Sequence, residues 1–583
     1  MIKNAIKNYK RIFLMIFKVS NFYIIHILIV SIIIGVLPYF EIKILQNIIN
    51  RVQSEFEYNE IVMLCVGYIF IDMVLLFASM LKRYLDSNFK FKLNRYISVS
   101  ILEKAEKLKL ENFETSDSYN VISRAQNSNR IFEYLSCFIE ILQNLITLTL
   151  YIKTVFYWKW YLAVPLIMTS FIIGISTEKI NVIRFKTVKN RTEKEREKWY
   201  YQFILTNNLT IKEIKVNRLF TYFISKFIKI YDGIVKEDKE ILEKEIKKDI
   251  RLNIIEKMEM TFVLIFIVKD AVYGKILIGD VLAFISIFSA IKSHMNGLII
   301  QFSEIFDNNL YIDQLFEYFD LKEENKVFNQ LSSSFGKIRN IKIENLSFKY
   351  KNSTEYVLKN INLTICENDH LAIVGKNGSG KSTLLKILLG LYDDYEGNVY
   401  INGVEIRNIE KEKLYSQISI LFQDYTKYEL SVRENICCSC IEYQQENSRI
   451  YQALEKIDAN KKIYNLDKRL GCYFENGIQL SGGEWLKIGL ARIFFKEANL
   501  ILLDEPNAAL DPISEQEVLK KIKKETEGKI SIIITHKFVN IPLYANRIVV
   551  MNQGKIEGDG KHEELIRKCN MYDELYNASL KEL

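Results

Sequence analysis

The chain has 583 residues, enough for about three or four domain-sized units, and a net charge of +8. Its 49% hydrophobic content is unevenly placed, with long uncharged runs before about residue 310 and mixed composition after it. Lysines and arginines flank those runs, which suits membrane loops and argues against a nucleic-acid partner, and the eight cysteines show no C-x-x-C pair.

The cysteines read as free intracellular thiols, including the local group Cys437, Cys438 and Cys440, which has no second ligand cluster to complete a metal site. Residues 1–18 are basic and amphipathic (Lys3, Lys7, Lys10, Arg11, Lys18) and predict a helix on the cytoplasmic membrane face. Residues 19–40 hold no Asp, Glu, Lys or Arg and span about 30 Å as a helix, enough for one crossing. That run is too long for a signal peptide and lacks a small-residue cleavage pattern. Glu55, Glu57 and Glu60 follow on the outside. Residues 61–81 are the second crossing, interrupted only by Asp72. Residues 82–130 are long, helical in pattern and rich in Lys and Arg, so they lie inside.

Residues 139–157 and 160–177 are the third and fourth crossings, a tight hairpin with Trp158 and Lys159 at its outer tip. Residues 178–259 are again basic and inside. Residues 260–273 and 279–301 are the fifth and sixth crossings, weaker because Lys269, Asp270 and Asp280 intrude. Six crossings put both termini inside. Asp72, His26, Lys292, Glu304 and Asp307 either line a solvated cavity that touches substrate or sit at the bilayer edge and on helix extensions.

The polar residues 321–337, with Ser332, Ser333 and Ser334, read as a linker. From Ile338 the pattern turns to strands, with Ile341 and Ile343 alternating against Lys342 and Glu344. No internal repeat is present. Leu371, Ala372, Ile373 and Val374 form a short apolar run. After it comes Gly375-Lys376-Asn377-Gly378-Ser379-Gly380-Lys381-Ser382-Thr383, and then a helical run from Leu384. This is the phosphate-loop pattern in its strand–loop–helix context. Its glycines permit φ > 0, so backbone N–H groups can close around a triphosphate at a positive helix end. Lys381 would reach the β/γ-phosphates and Ser382 would offer its hydroxyl to Mg²⁺.

Ligands of an open α/β sheet bind at the carboxyl ends of strands, and further candidates obey that rule. Gln423 follows the run 418–422, and Asp504 and Glu505 follow the all-apolar 500–503. His536 follows 530–535. Asp504 suits Mg²⁺, Gln423 could contact Mg²⁺ or water without adding charge, and Glu505 could polarise the attacking water. His536 can bond the γ-phosphate. Leu480-Ser481-Gly482-Gly483-Glu484 opens another helical run and forms a second phosphate-binding nest.

This ordered set resembles the ATPase domain of ABC transporters over roughly residues 338–565. The phosphate loop matches Walker A, and Leu500 to Glu505 match Walker B. Gln423 falls at the Q-loop, Leu480 to Glu484 at the signature with Glu484 in place of the usual glutamine, and His536 at the switch histidine. The resemblance further implies a D-loop at Ala508, Ala509, Leu510 and Asp511, and adenine stacking on Tyr350.

The six crossings and long inner loops are similar to a type IV exporter half-transporter. The fold class is therefore a multidomain membrane protein. An all-α six-helix transmembrane domain (1–320) precedes an α/β P-loop NTPase domain (338–583). Residues 418–430, 474–479 and 212–215 further resemble nisin-type lantibiotic exporters. That likeness implies ATP-driven export of a ribosomally made, modified peptide, with ATP and Mg²⁺ as cofactors and no nucleic acid partner. It implies a multi-pass protein of the cell membrane and a second copy of the chain as partner, since one Walker A and one signature per chain must pair. A heterodimer stays open, and peptide-modifying enzymes are candidate partners.

The alternative is a lipid flippase or multidrug exporter with the same engine. A complete catalytic set argues against an ATP-gated regulator or channel. Fewer than about 20 residues precede the first crossing, far below a peptidase domain, so leader removal is expected elsewhere. Two loop tips, residues 116–122 and 210–215, are expected to couple the domains, against a receiving segment at 424–430.

Overall fold

The computed structural model describes residues 2–54, 58–114, 130–208, 210–324, 336–351, 353–459, 461–506 and 512–581. The expected D-loop residues Ala509, Leu510 and Asp511 lie outside the described residues, as do the loop tip 116–122 and most of the linker. The chain divides into two compact units, Met1–Leu108 with Thr115–Lys322, and Lys109–Glu114 with Glu323–Leu583.

The first unit is helical. The amphipathic stretch forms α1 (Ile2–Val19), and the first two apolar runs lie within α2 (Asn21–Gln53) and α3 (Tyr58–Lys107). The predicted hairpin is α5 (Ile131–Asn190), following the short α4 (Glu111–Glu114). α5 breaks at Lys159, where φ −150° and ψ 90° leave the helical region. The break is anchored: Trp158 stacks on Phe284 with centroids 4.1 Å apart, and Lys159 Nζ meets Asp270 at 2.6 Å. Tyr151 and Val155 before the break share a core with Leu162 and Leu166 after it.

Helices α6 (Thr192–Thr206), α7 (Ile211–Val216), α8 (Phe220–Val272) and α9 (Ile278–Phe319) complete the unit. Ile214 of the second predicted loop tip is buried against Tyr201 and Ile204 of its own unit. Among the described residues four helices are long and apolar enough to cross a membrane: Phe22–Gln53, Tyr58–Lys107, Ile131–Val188 and Ile278–Ile305. The expected fifth crossing is the end of α8, a 53-residue helix charged over most of its length.

Three charges within the apolar runs, Asp270, Asp280 and Lys292, have structural partners. Asp280 accepts hydrogen bonds from Gln46 (2.5 Å), Asn50 (2.7 Å) and the Leu277 backbone N–H (2.9 Å), so it ties the start of α9 to α2. Lys292 pairs with Glu259 at 3.0 Å in a buried site where Thr169 also donates to Glu259 at 2.8 Å.

The second unit holds two sheets. A four-stranded antiparallel sheet has the order β2-β1-β4-β5: β1 (Asn340–Phe348), β2 (Leu358–Cys366), β4 (Glu396–Ile401) and β5 (Val404–Glu405). A six-stranded sheet has the order β10-β9-β3-β8-β7-β6. Its strands are β3 (His370–Gly375), β6 (Ile418–Leu421), β7 (Leu500–Asp504), β8 (Ile530–Ile534), β9 (Arg547–Asn552) and β10 (Lys555–Gly560). The neighbours from β9 to β6 pair in parallel.

β7 and β8 are buried at every residue, as continuous apolar runs demand in a covered parallel sheet. Alternation then sorts the side chains. Ile501 and Leu503 enter one core with α12 (Val432–Cys437), α13 (Asn447–Lys456) and α14 (Gly482–Phe495), while Leu500 and Leu502 enter the other. That second core holds α10 (Lys381–Leu388) and the antiparallel sheet.

Candidate nucleotide site

The β3–α10 turn is shaped by two glycines. Gly375 has φ +149°, and a Cβ there would lie 2.1 Å from the Met551 carbonyl. Gly380 has φ +101°, and its Cβ would meet Leu358 at 2.7 Å. Neither position can take a side chain, and together they curl the loop around Lys381. The Lys381 ammonium is buried and donates to the Gly375 and Lys376 carbonyls at 2.9 and 3.1 Å. Burial pulls its pKa down, while Glu505 and Asp504 oppose the shift.

The strand ends converge on the same place. Glu505 follows β7 with φ +49°, rare for a residue with a side chain, and its N–H bonds the Ile534 carbonyl of β8 at 3.0 Å. Its carboxylate is held from two sides: Gln423 Nε2 donates to one oxygen at 2.9 Å, and His536 Nε2 lies 2.9 Å from the other. Burial, then Lys381, pull the His536 pKa below its ordinary value, so the imidazole is neutral at pH 7 and donates Nε2–H to Glu505. Asp504 is buried and accepts a hydrogen bond from Ser382; burial pushes its carboxyl up despite that bond.

Two buried oxygens here, Asp504 Oδ1 and Ser379 Oγ, have no hydrogen-bond partner among the described residues. A native site rarely leaves such groups unmatched. An unmatched carboxylate oxygen beside a hydroxyl suits a hard divalent cation, and an unmatched hydroxyl in a glycine loop suits a phosphate oxygen. The donor set therefore fits a nucleoside triphosphate with Mg²⁺. Tyr350 is edge-on to Phe348 and Tyr392, with its hydroxyl 3.0 Å from Thr383 Oγ1.

The residues 480–484 stand at the head of a different helix, α14. Ser481 Oγ accepts from the Glu484 N–H at 3.3 Å. The Glu484 carboxylate accepts from the Ser481 N–H at 2.9 Å and its hydroxyl at 3.1 Å. This is a reciprocal capping box, which gives the acidic residue in the usual glutamine position a definite job. The S-x-x-E spacing signals it, and the same box recurs at Ser431 and Glu434.

Sequence reasoning missed Arg492. This α14 residue bonds the Thr426 carbonyl (2.8 Å), the Asn435 carbonyl (2.7 Å) and the Asn435 side-chain oxygen (2.7 Å), and lies over the Tyr428 ring. Asn435 is fully buried and donates to the carbonyls of Tyr428, Leu430 and Ser431. The segment after Gln423 is thus clamped to the helix that Ser481 caps. No local pattern marks an arginine for this role.

A P-loop ATPase attached to a bundle of apolar helices defines an ATP-driven membrane transporter. The family model described as ABC transporter matches residues 358–508. The subtilin transport ATP-binding protein of Bacillus subtilis is 31% identical over 98% of this chain and 94% of its own length. The nisin transport ATP-binding protein of Lactococcus lactis is 34% identical over 96% of this chain and 94% of its own. The chain belongs to the ABC transporter family. Its fold is shared with a bacterial Atm1-family ABC exporter solved with ATP bound, at a TM-score of 0.80 and 18% identity, covering 96% of this chain and 98% of that one.

Proposed function

We propose that this chain uses ATP hydrolysis to export a ribosomally made, modified peptide across the cell membrane, acting as a homodimer with both termini in the cytoplasm. The observation that carries this reading is the near full-length likeness to the subtilin and nisin transport proteins. Both units are included in it, so the likeness covers the helical half as well as the ATPase.

Residues 375–383 and Tyr350 bind ATP; Ser382, Gln423 and Asp504 hold Mg²⁺, which supplies charge neutralisation at the β/γ-phosphates when bound. Lys381 exchanges its two carbonyl partners for phosphate oxygens. Glu505 orients and deprotonates the attacking water, and His536 and Gln423 fix its carboxylate. Ser481, Gly482 and Gly483 of one chain close over the nucleotide held by its partner, with Leu480 and Glu484 framing them; Ala509, Leu510 and Asp511 stay the D-loop that the resemblance implies. Asp504 and Glu505 thus divide the work of two adjacent carboxylates, one on the metal and one on water.

The test is export. Cells making the chain with a modified precursor peptide of the subtilin or nisin type should release peptide to the medium, and Lys381→Ala should retain it inside while the protein still reaches the membrane. Dye or lipid movement without peptide movement in reconstituted vesicles would instead favour a multidrug exporter or flippase.

A further inference from the structure

A cavity of about 520 Å³ opens between α2, α3 and α5. One stretch of α3 supplies most of its lining: Ser79, Lys82, Arg83, Asp86, Ser87 and Lys90, all on one helical face. Phe132 and Gln143 of α5 add an aromatic wall and an amide.

The charges are unequal. Asp86 is occupied by the Tyr23 hydroxyl at 2.6 Å, and Lys90 is held by Glu133 at 2.7 Å. Lys82 faces Asp86, but its ammonium donates to the neutral Gln143 amide at 3.2 Å. Arg83 is exposed and makes no ion pair among the described residues. Lys82, Arg83 and Lys90 against Asp86 and Glu133 leave one net positive charge at the cavity, and Arg83 is the cation with no ion pair among the described residues.

A second feature meets this one. Ile69, Met73, Leu76 and Met80 are 54%, 65%, 57% and 57% exposed. Their spacing of four, three and four residues makes one stripe of α3, and the next two positions of that stripe are Arg83 and Ser87. From Ile69 to Arg83 the helix rises about 21 Å, which covers the depth of one hydrocarbon leaflet, about 15 Å. Asp72 is about 16 Å along the helix from Arg83, too far to neutralise it. An exposed apolar stripe that covers one leaflet, ending in a net positive charge and a hydroxyl, complements an amphiphile with a negative head.

We propose that this cavity is a binding site for an anionic phospholipid of the inner leaflet. Its phosphate lies against Lys82, Arg83 and Ser87, and an acyl chain lies along Ile69, Met73, Leu76 and Met80. The site rests on the reading that α3 crosses the membrane with Lys82 at its inner boundary. Charge complementarity favours lipid over a second copy of the chain, which would have to bring a carboxylate to the bilayer edge.

The experiment uses the full-length protein in phosphatidylcholine nanodiscs doped with photoreactive phosphatidylglycerol or photoreactive phosphatidylcholine, and maps the labelled peptides. Each basic residue near the membrane surface is worth about a fivefold preference for an anionic lipid. The glycerol lipid should accordingly label residues 69–90 about fivefold or more above the choline lipid. Arg83→Gln, which loses no ion pair, should cut the preference about fivefold. Lys82→Gln with Arg83→Gln should abolish it, and the neighbouring Lys92→Gln should leave it intact. Retained ATPase activity reports that each variant is folded.

Equal labelling of residues 69–90 by the two lipids overturns the site, as does a preference unchanged in the double variant. Displacement of the label by millimolar inorganic phosphate would make it a free oxyanion site rather than a lipid site. A disulfide between two copies of an Ile69→Cys variant would make the stripe a dimer contact. If no part of α3 takes label from either lipid, the membrane reading itself fails.

Discussion

Glu505 is held in left-handed backbone at φ +49° with both carboxylate oxygens engaged. Such strain is kept where the surroundings fix a functional group. Glu505→Gln preserves size but removes the proposed base and one of its two acceptor oxygens. ATP binding should survive while turnover falls by about 10²-fold or more; hydrolysis above a tenth of the normal rate would sink the assignment. Asp504 carries the opposite tension. Its carboxyl pKa is raised by burial, so the ionised form burdens the nucleotide-free fold. A raised folded pKa adds stability below the unfolded value of about 3.9 and loses it as pH rises through the folded value. Asp504→Asn should therefore raise nucleotide-free stability at pH 7 by about 1–3 kcal/mol, remove that acid-side gain, and abolish Mg²⁺-dependent nucleotide binding. Denaturant melts across pH check the sign. His536 has a lowered pKa, so it charges only below about pH 6.5, where it would lock Glu505 in an ion pair. ATPase activity should fall on that acid side, and a profile without an inflection below the ordinary imidazole value would remove His536 from the site.

At the scale of elements, two contacts hold helices in place. Arg492 fastens α14 to the segment after Gln423 through three carbonyl or amide oxygens. Arg492→Met keeps the bulk and loses the bonds. It should destabilise the ATPase unit by about 1.5–3 kcal/mol and lower turnover while nucleotide affinity at the phosphate loop changes little. Equal loss of binding and turnover would show a general folding defect instead. In the helical unit the Lys292–Glu259 pair is buried, with Glu259 Oε1 unmatched. Lys292→Met strands the carboxylate and should cost about 3–5 kcal/mol, whereas adding Glu259→Leu should recover most of it. The double-mutant cycle read by thermal inactivation separates this from a substrate-contact role, under which both variants would inactivate export without loss of stability.

At the scale of the whole molecule, the proposed homodimer shares its sites: the Walker A of one chain meets the signature of the other. A Lys381→Ala chain lacks a working phosphate loop but keeps its signature. A Ser481→Arg chain has the reverse defect. Each alone should be inactive. Mixed dimers pair the intact loop of one with the intact signature of the other, so equal coexpression with random pairing should restore about a quarter of normal ATPase activity, and purified mixed dimers about half, if the two sites act independently. Restoration is impossible if loop and signature of the same chain form the site.

The sequence by itself determined the parts whose cause is local or periodic. The phosphate loop was legible because Gly375 and Gly380 occupy positions no side chain can enter, and the strand-end residues because buried parallel strands leave unbroken apolar runs before them. The break at Lys159 also fell where a polar step divides two apolar runs. Tertiary structure alone decided the pairings between distant residues: Lys159 with Asp270, Lys292 with Glu259, and Asp280 with the end of α2. Those charges looked like interruptions of membrane segments because hydropathy counts a charge without its partner. It likewise decided that Arg492 clamps the segment after Gln423, and that residues 109–114 cluster with the ATPase, where Lys109 meets Asp393 at 2.8 Å. Long-range contacts carry no periodic signal, since two residues that meet only after the chain has folded leave no shared pattern along it.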